Sequence, residues 1–261
     1  MIALEAVSYS YGTSTEPVLV DLNLQIQSSS WVTVAGPDGA GKSTLGKLIK
    51  GLLQPDSGSV RYQGLDVRGP EDVGYLGGDP YDSFVGVTVE EDVVFGLENL
   101  GLEREQIRAR LEQALLLTGL QGMNDRLVET LSGGEQQKVA LAGVLAMRTR
   151  VLLLDECLGM LDRPNRTAIR SLLISLKNSL HLTIVQISND MEDIAAADQV
   201  IYLSSGRVAY AGTSSGFLSS RAGQGWSTLA GGMAALVTAL EARGIPGEAV
   251  KRVKKYGLIN Q

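Results

Sequence analysis

The chain has 261 residues, room for one large domain or one domain with a small appendage. Hydrophobic residues make up 44% and charged residues 20%, so a core can be buried, yet no apolar run approaches the ~18–20 residues that cross a bilayer. A formal net charge of −6 argues against a nucleic-acid partner, which needs a basic face, and the single Cys157 excludes an internal disulfide and fits a reducing compartment.

In chain order, Met1-Ile2-Ala3-Leu4-Glu5 lacks the basic flank and apolar core of a signal peptide, so a cytoplasmic location is expected, with membrane contact made only through a partner. Ile2 to Val7 and Val18 to Ile26 alternate as half-buried strands do, and Trp31 to Ala35 is a short apolar strand. Thr44 to Leu53 predicts a helix, stopped by Gln54-Pro55-Asp56-Ser57-Gly58. Helices over Val87 to Leu100 and Leu102 to Gly119 make the middle of the chain helical. Val151 to Leu154 and Leu182 to Ile187 are continuous apolar runs, expected of strands covered on both faces. The fold class is therefore α/β, with a core over 1–212 and a helical subdomain inserted at about 78–148. A Gly/Ser-rich linker is expected over 213–232, and a small helical extension over 233–261.

Gly36-Pro37-Asp38-Gly39-Ala40-Gly41-Lys42-Ser43 fits the phosphate-loop pattern, between a predicted strand and a predicted helix as the pattern requires. Its glycines let backbone N–H groups turn inward onto phosphate oxygens, and the helix adds its positive end. Lys42 is then expected to bridge the β- and γ-phosphates of a nucleotide, Ser43 to supply a hydroxyl to Mg²⁺, and Thr44 can hold a phosphate oxygen. Downstream, Val151-Leu152-Leu153-Leu154-Asp155-Glu156 is an apolar strand ending in two carboxylates. Asp155 is placed to hold Mg²⁺ through water and Glu156 to polarise the attacking water, although such a pair can also simply begin a helix.

Leu131-Ser132-Gly133-Gly134-Glu135-Gln136-Gln137 reads locally as a capping box, Ser132 with Glu135. Two glycines in a first turn cost helix stability, and they make sense if a phosphate approaches the bare amides. Since the chain already has a phosphate loop, this second anion site should serve a nucleotide held by another subunit. With these motifs the sequence resembles the ABC ATPase family, a P-loop NTPase fold in which two subunits sandwich two ATP molecules. The resemblance implies that Leu161-Asp162 is a loop reporting across the dimer, and that Tyr11 sits against adenine; a strand-end packing role for Tyr11 stays open.

Val73-Gly74-Tyr75 and the run Phe84-Val85-Gly86-Val87-Thr88-Val89-Glu90-Glu91-Asp92-Val93-Val94-Phe95-Gly96-Leu97-Glu98-Asn99 look like the ATPase subunits of energy-coupling factor transporters. That resemblance implies import of vitamins or transition-metal ions. The implied partners are a second ABC ATPase subunit, a membrane coupling protein and a substrate-binding membrane component, placing the chain peripherally on the cytoplasmic face of the membrane. It also implies that Leu236 to Ile245 belongs to helices that hold the ATPase dimer together, and that residues near Asp79 to Val87 receive the coupling protein. Two positions depart from the family. Gly78 stands where the family has a glutamine that touches Mg²⁺ and water, and Asn189 where it has a histidine that contacts the γ-phosphate. The only histidine, His181, lies at the other end of its strand and cannot stand in. An ATPase heterodimer in which this chain's own site is slow is the expectation. A fully active homodimer and a soluble, non-transport ABC ATPase are the alternatives.

Overall fold

The structure, a computed structural model, describes residues 1–12, 16–66, 73–78 and 84–220. In chain order the elements are β1 (Ile2–Tyr9), β2 (Leu19–Ile26), β3 (Trp31–Ala35), α1 (Lys42–Lys50), β4 (Ser57–Tyr62), β5 (Leu65–Asp66) and β6 (Val73–Gly77). There follow α2 (Val89–Asn99), α3 (Arg104–Thr118), a 3-10 turn (Val128–Thr130), α4 (Gly133–Ala146) and β7 (Val151–Asp155). The last are α5 (Arg163–Leu180), β8 (Thr183–Ile187), α6 (Met191–Ala196), β9 (Gln199–Ser204), β10 (Arg207–Thr213) and α7 (Ser214–Ser219). They divide into two compact units, Met1–Val67 with Val185–Gln261, and Arg68–Ile184.

In the first unit, β2, β1, β4 and β5 form an antiparallel sheet in that order. The register pairs Ile2 with Ile26 and Tyr62, and Leu4 with Leu24 and Val60, so one face is continuously apolar and buried. β9 pairs parallel with β3 on one side and antiparallel with β10 on the other. Every residue of β3 is buried, as a strand covered on both faces requires. Each fully buried aliphatic side chain there contributes about 1.5–3 kcal/mol relative to exposure. α1 starts two residues before the expected Thr44 and ends at Lys50, not Leu53. Gly51 takes a left-handed φ of 79° and returns its N–H to Leu48 and Lys47, which closes the helix before the Pro-containing turn.

The second unit packs α2, α3 and α4 around one apolar cluster. Val89, Val93 and Leu97 share a face of α2, Leu111 and Leu115 of α3, and Val139, Ala142 and Ala146 of α4. α2 starts at Val89 because Thr88 and Glu91 close a capping box, leaving Val87 outside and exposed. This unit is wider than the insertion expected at about 78–148. β6 belongs to the same body because Gly74 lets it approach α4: a Cβ there would collide with Val144. β6 and β7 pair in parallel, and Thr183 N–H bonds to Arg150 O at 3.0 Å.

The linker expected from residue 213 is folded at its start. α7 is capped by Thr213, and its Phe217 is fully buried against the rings of Tyr202 and Tyr210, at centroid distances of 5.5 and 5.4 Å. One aromatic anchor outweighs the polar, small-residue composition around it. The rest of the expected linker, the helical extension over 233–261 and residues 79–83 of the expected docking segment lie outside the described residues.

Candidate functional site

The phosphate loop joins β3 to α1 in the first unit. Gly36 has a φ of 153° and lies so near the carbonyl of Leu203 that a Cβ would collide with it, so only glycine fits. Gly39 and Gly41 are left-handed, at 76° and 96°. Gly41 is the N-cap of α1 and offers no side-chain acceptor to the first-turn amides, and that turn carries no acidic residue. By contrast α2, α4, α5, α6 and α7 are each capped by an oxygen side chain. A helix start left uncapped below a glycine-rich turn fits an anion such as the phosphates of ATP.

Buried Lys42 donates to the carbonyls of Gly36 at 2.9 Å and Pro37 at 3.2 Å, and lies 3.6 Å from the exposed Asp38 carboxylate. Its ammonium is thereby held over the loop. Ala40 is buried and its N–H closes the turn onto Pro37 O. Ser43 is exposed, whereas Thr44 is buried with its hydroxyl 3.2 Å from that of Tyr11. The Tyr11 ring also meets Tyr9 edge-on at 5.0 Å, while 43% of the residue stays exposed. Both expectations for Tyr11 thus have a basis: the ring is packed at a strand end and still offers a face beside the loop.

At the end of β8, Asn189 enters this same site. Its Oδ1 accepts from the Gly36 N–H at 3.2 Å. The segment is fixed by Ser188, whose N–H bonds to Val34 O and whose hydroxyl donates to buried Asp193 at 2.7 Å. Asp190 then caps α6. Asn189 is therefore a brace on the first glycine of the loop, a role the sequence carries no local signal for. His181 sits at the left-handed C-cap of α5, exposed, as a capping residue.

In the second unit, Asp155 ends β7 and is buried, with Oδ2 accepting from the Tyr75 hydroxyl at 3.0 Å. Burial, and then the neighbouring Asp155 charge, push the Tyr75 phenol well above its ordinary pKa, so it remains a donor. Tyr75 is the neighbour of Asp155 that sequence reasoning missed. Glu156 follows with a left-handed φ of 54°, a conformation costing roughly 1–2 kcal/mol for a side-chain-bearing residue. Gly78 donates its N–H to Asp155 O at 3.3 Å; it is exposed, left-handed at 72°, and a Cβ there would meet nothing among the described residues within 4 Å.

The glycine-bearing segment Leu131 to Gln137, the signature of the family, forms the start of α4. Ser132 N–H and Oγ donate to Glu135 Oε2 at 2.9 and 2.7 Å, and Glu135 N–H returns to Ser132 Oγ at 3.3 Å. These bonds, that from the Ser132 hydroxyl first, hold the Glu135 carboxyl below its ordinary pKa. The two glycines differ. A Cβ at Gly134 would collide with Asn165 in the first turn of α5, so packing alone requires it. Among the described residues a Cβ at Gly133 would find only ordinary contact with Leu161, at 3.7 Å, so their packing does not explain it. Asp162 caps α5 by accepting from Asn165 N–H at 2.9 Å, and Arg166 closes the preceding turn onto the carbonyls of Gly159 and Leu161. Signature and Asp162 loop are thus neighbours through Asn165 and Leu161.

A phosphate loop on an uncapped helix, a buried carboxylate ending a core strand and a second glycine-opened helix start define an ATP-binding cassette of the P-loop class. A family model for ABC transporters matches residues 19–159. Over 216 residues the chain is 36% identical to the energy-coupling factor transporter ATP-binding protein EcfA1 of Ligilactobacillus salivarius (strain UCC118), covering 80% of this chain and 76% of that one. The same protein of Lacticaseibacillus paracasei is 36% identical over 223 residues, covering 82% and 80%. Among solved structures, CbiO1 from Clostridium perfringens, described as part of the ABC transporter complex CbiONQ, superposes with a TM-score of 0.78 at 29% identity, over 88% of this chain and 94% of that one. The ATP-binding cassette MJ0796, solved as a dimer in a post-hydrolysis state with ADP and Pi, gives a TM-score of 0.72 at 26% identity, over 82% and 98%. The chain belongs to the ABC transporter family, as an ATPase subunit of the energy-coupling factor type.

Proposed function

We propose that this chain is the partly degenerate half of an ATPase heterodimer driving an importer of vitamins or transition-metal ions from the cytoplasmic face of the membrane. The relatives named for energy-coupling factor transport, and CbiO1 as part of a transporter complex, support membrane coupling and substrate-binding partners. The dimeric cassette supports pairing with a second ATPase subunit.

In this reading the loop amides from Gly36 to Ser43 and the Lys42 ammonium hold the ATP phosphates, Thr44 takes a phosphate oxygen, and Tyr11 lies against adenine. Ser43 of the first unit and Asp155 of the second are the residues that would hold magnesium, which would neutralise charge developing on the phosphates. Glu156 polarises the attacking water. Ser132, Gly133, Gly134 and Glu135 complete the site of the partner's nucleotide, and Asp162 couples the two sites. Gly78 carries the asymmetric assignment: a Cβ there would meet nothing among the described residues within 4 Å, and the glycine has no side chain to order water or metal. Asn189 is neutral and already braces Gly36. Each missing transition-state contact costs about 10²–10³-fold in turnover.

A working homodimer is the second reading, and retention of Asp155 and of the strained Glu156 favours it. ATP binding and turnover by the purified chain, alone and as Glu156→Gln, separate the two. The heterodimer reading expects ATP binding with near-background turnover that Glu156→Gln leaves unchanged. Robust turnover abolished by Glu156→Gln establishes the homodimer and ends the asymmetric reading.

A further inference from the structure

β6 and β7 run parallel, with Tyr75 opposite Leu153 and Gly77 opposite Asp155. Residues two apart on a strand face the same side, so Tyr75 and Gly77 share the face on which the Asp155 carboxylate lies. Gly77, the immediate neighbour of Asp155, has no side chain. Tyr75 is the diagonal neighbour, at a spacing that only a long or aromatic side chain bridges. Its ring leans along the strand over Gly77, and its hydroxyl reaches Asp155 Oδ2 at 3.0 Å. A Cβ on Gly77 would occupy the place of that hydroxyl. The glycine is therefore the condition for the contact, and the Gly78 N–H on Asp155 O holds the same residue's backbone.

We propose that Tyr75 is a positioning residue for magnesium: its hydroxyl fixes the orientation of the Asp155 carboxylate, and Gly77 exists to let it do so. With Oδ2 held, the carboxylate no longer rotates, so part of the cost of ordering a metal ligand is met before metal arrives. Hydrogen bonds to a ligating group of this kind tune affinity without touching the metal. The contact also supplies from β6 a restraint on the metal ligand where the side chain at Gly78 is missing.

The inference rests on Asp155 being the magnesium ligand, and the experiment keeps the two apart. The full chain is saturated with ATP, and its melting temperature is followed against magnesium concentration, with an EDTA sample as the metal-free control. The variants are Tyr75→Phe, Gly77→Ala, the two combined, and Asp155→Asn. Tyr75→Phe and Gly77→Ala should each raise the magnesium concentration for half-maximal stabilisation about tenfold, the usual effect of losing a bond to a metal ligand. The combined variant should do no more than either alone, because both remove one contact. A hydroxyl with only a structural role would lower the melting temperature in EDTA and leave the magnesium midpoint where it was. An unchanged midpoint in Tyr75→Phe overturns the proposal, as do effects of the two substitutions that multiply. If wild type shows no magnesium response, or Asp155→Asn keeps it, the metal assignment itself fails.

Discussion

Restoring a glutamine at Gly78 isolates the reason for the proposed slow turnover. Gly78 has a φ of 72°, and a Cβ there meets no atom of the described residues within 4 Å, so Gly78→Gln clears the backbone around it but must hold a left-handed conformation. That conformation costs roughly 1–2 kcal/mol, of which about 0.5–1 kcal/mol returns because glutamine loses less chain freedom than glycine on folding. A net loss near ~1 kcal/mol lowers the melting temperature of a chain this size by about 2–4 °C and leaves it folded. The catalytic side is larger, since one regained transition-state contact is worth roughly 2.7–4 kcal/mol, or 10²–10³-fold in turnover. Steady-state ATP hydrolysis by wild type and Gly78→Gln, with melting curves and ATP affinity in parallel, reads both effects. The expected result is a slightly less stable protein that hydrolyses at least tenfold faster, with ATP binding nearly unchanged. A folded, ATP-binding Gly78→Gln with the wild-type rate would refute the idea that the empty position limits the chemistry.

Two further outcomes follow from the signature helix. Gly133→Ala should leave the melting temperature level or slightly raised, since alanine favours a helix, yet should weaken activation of a partner ATPase; Gly134→Ala should lower the melting temperature, because its Cβ collides with Asn165. Stability curves of single variants and turnover of mixed dimers check the contrast, and a Gly133→Ala dimer with full turnover would remove the anion role from that amide. The Glu135 carboxyl is held below its ordinary pKa by Ser132, so its contribution is full above the ordinary carboxylate range and fades as pH falls through the lowered folded value. Unfolding of wild type and Glu135→Gln across acidic pH should therefore show a stability gap that closes on acidification; a gap constant with pH would contradict the assignment.

How much was legible depends on the range of the physics involved. The phosphate loop, the Ser132–Glu135 capping box and the apolar strands β3 and β7 are local: their chemistry is complete within a few consecutive residues, so spacing and residue type determine them. Helix ends were nearly as legible, except where Gly51 stopped α1 early by a conformation that competes with the following proline turn. The start of the expected linker was misjudged because composition around residue 213 weighs every residue equally, whereas one buried ring, Phe217, decides whether the segment folds. Other features had no local trace. Asn189 braces Gly36 across 153 positions, and Tyr75 reaches Asp155 across 80. Those contacts exist only because strand pairing sets a register and brings strand ends side by side. The same holds for the two signature glycines, alike in sequence but separated in meaning by one neighbour, Asn165. By itself the sequence determined the class of chemistry, because phosphate recognition is written in contiguous backbone. The tertiary structure decided which side chains support that chemistry, because support comes from whatever residue the register places next to a ligand.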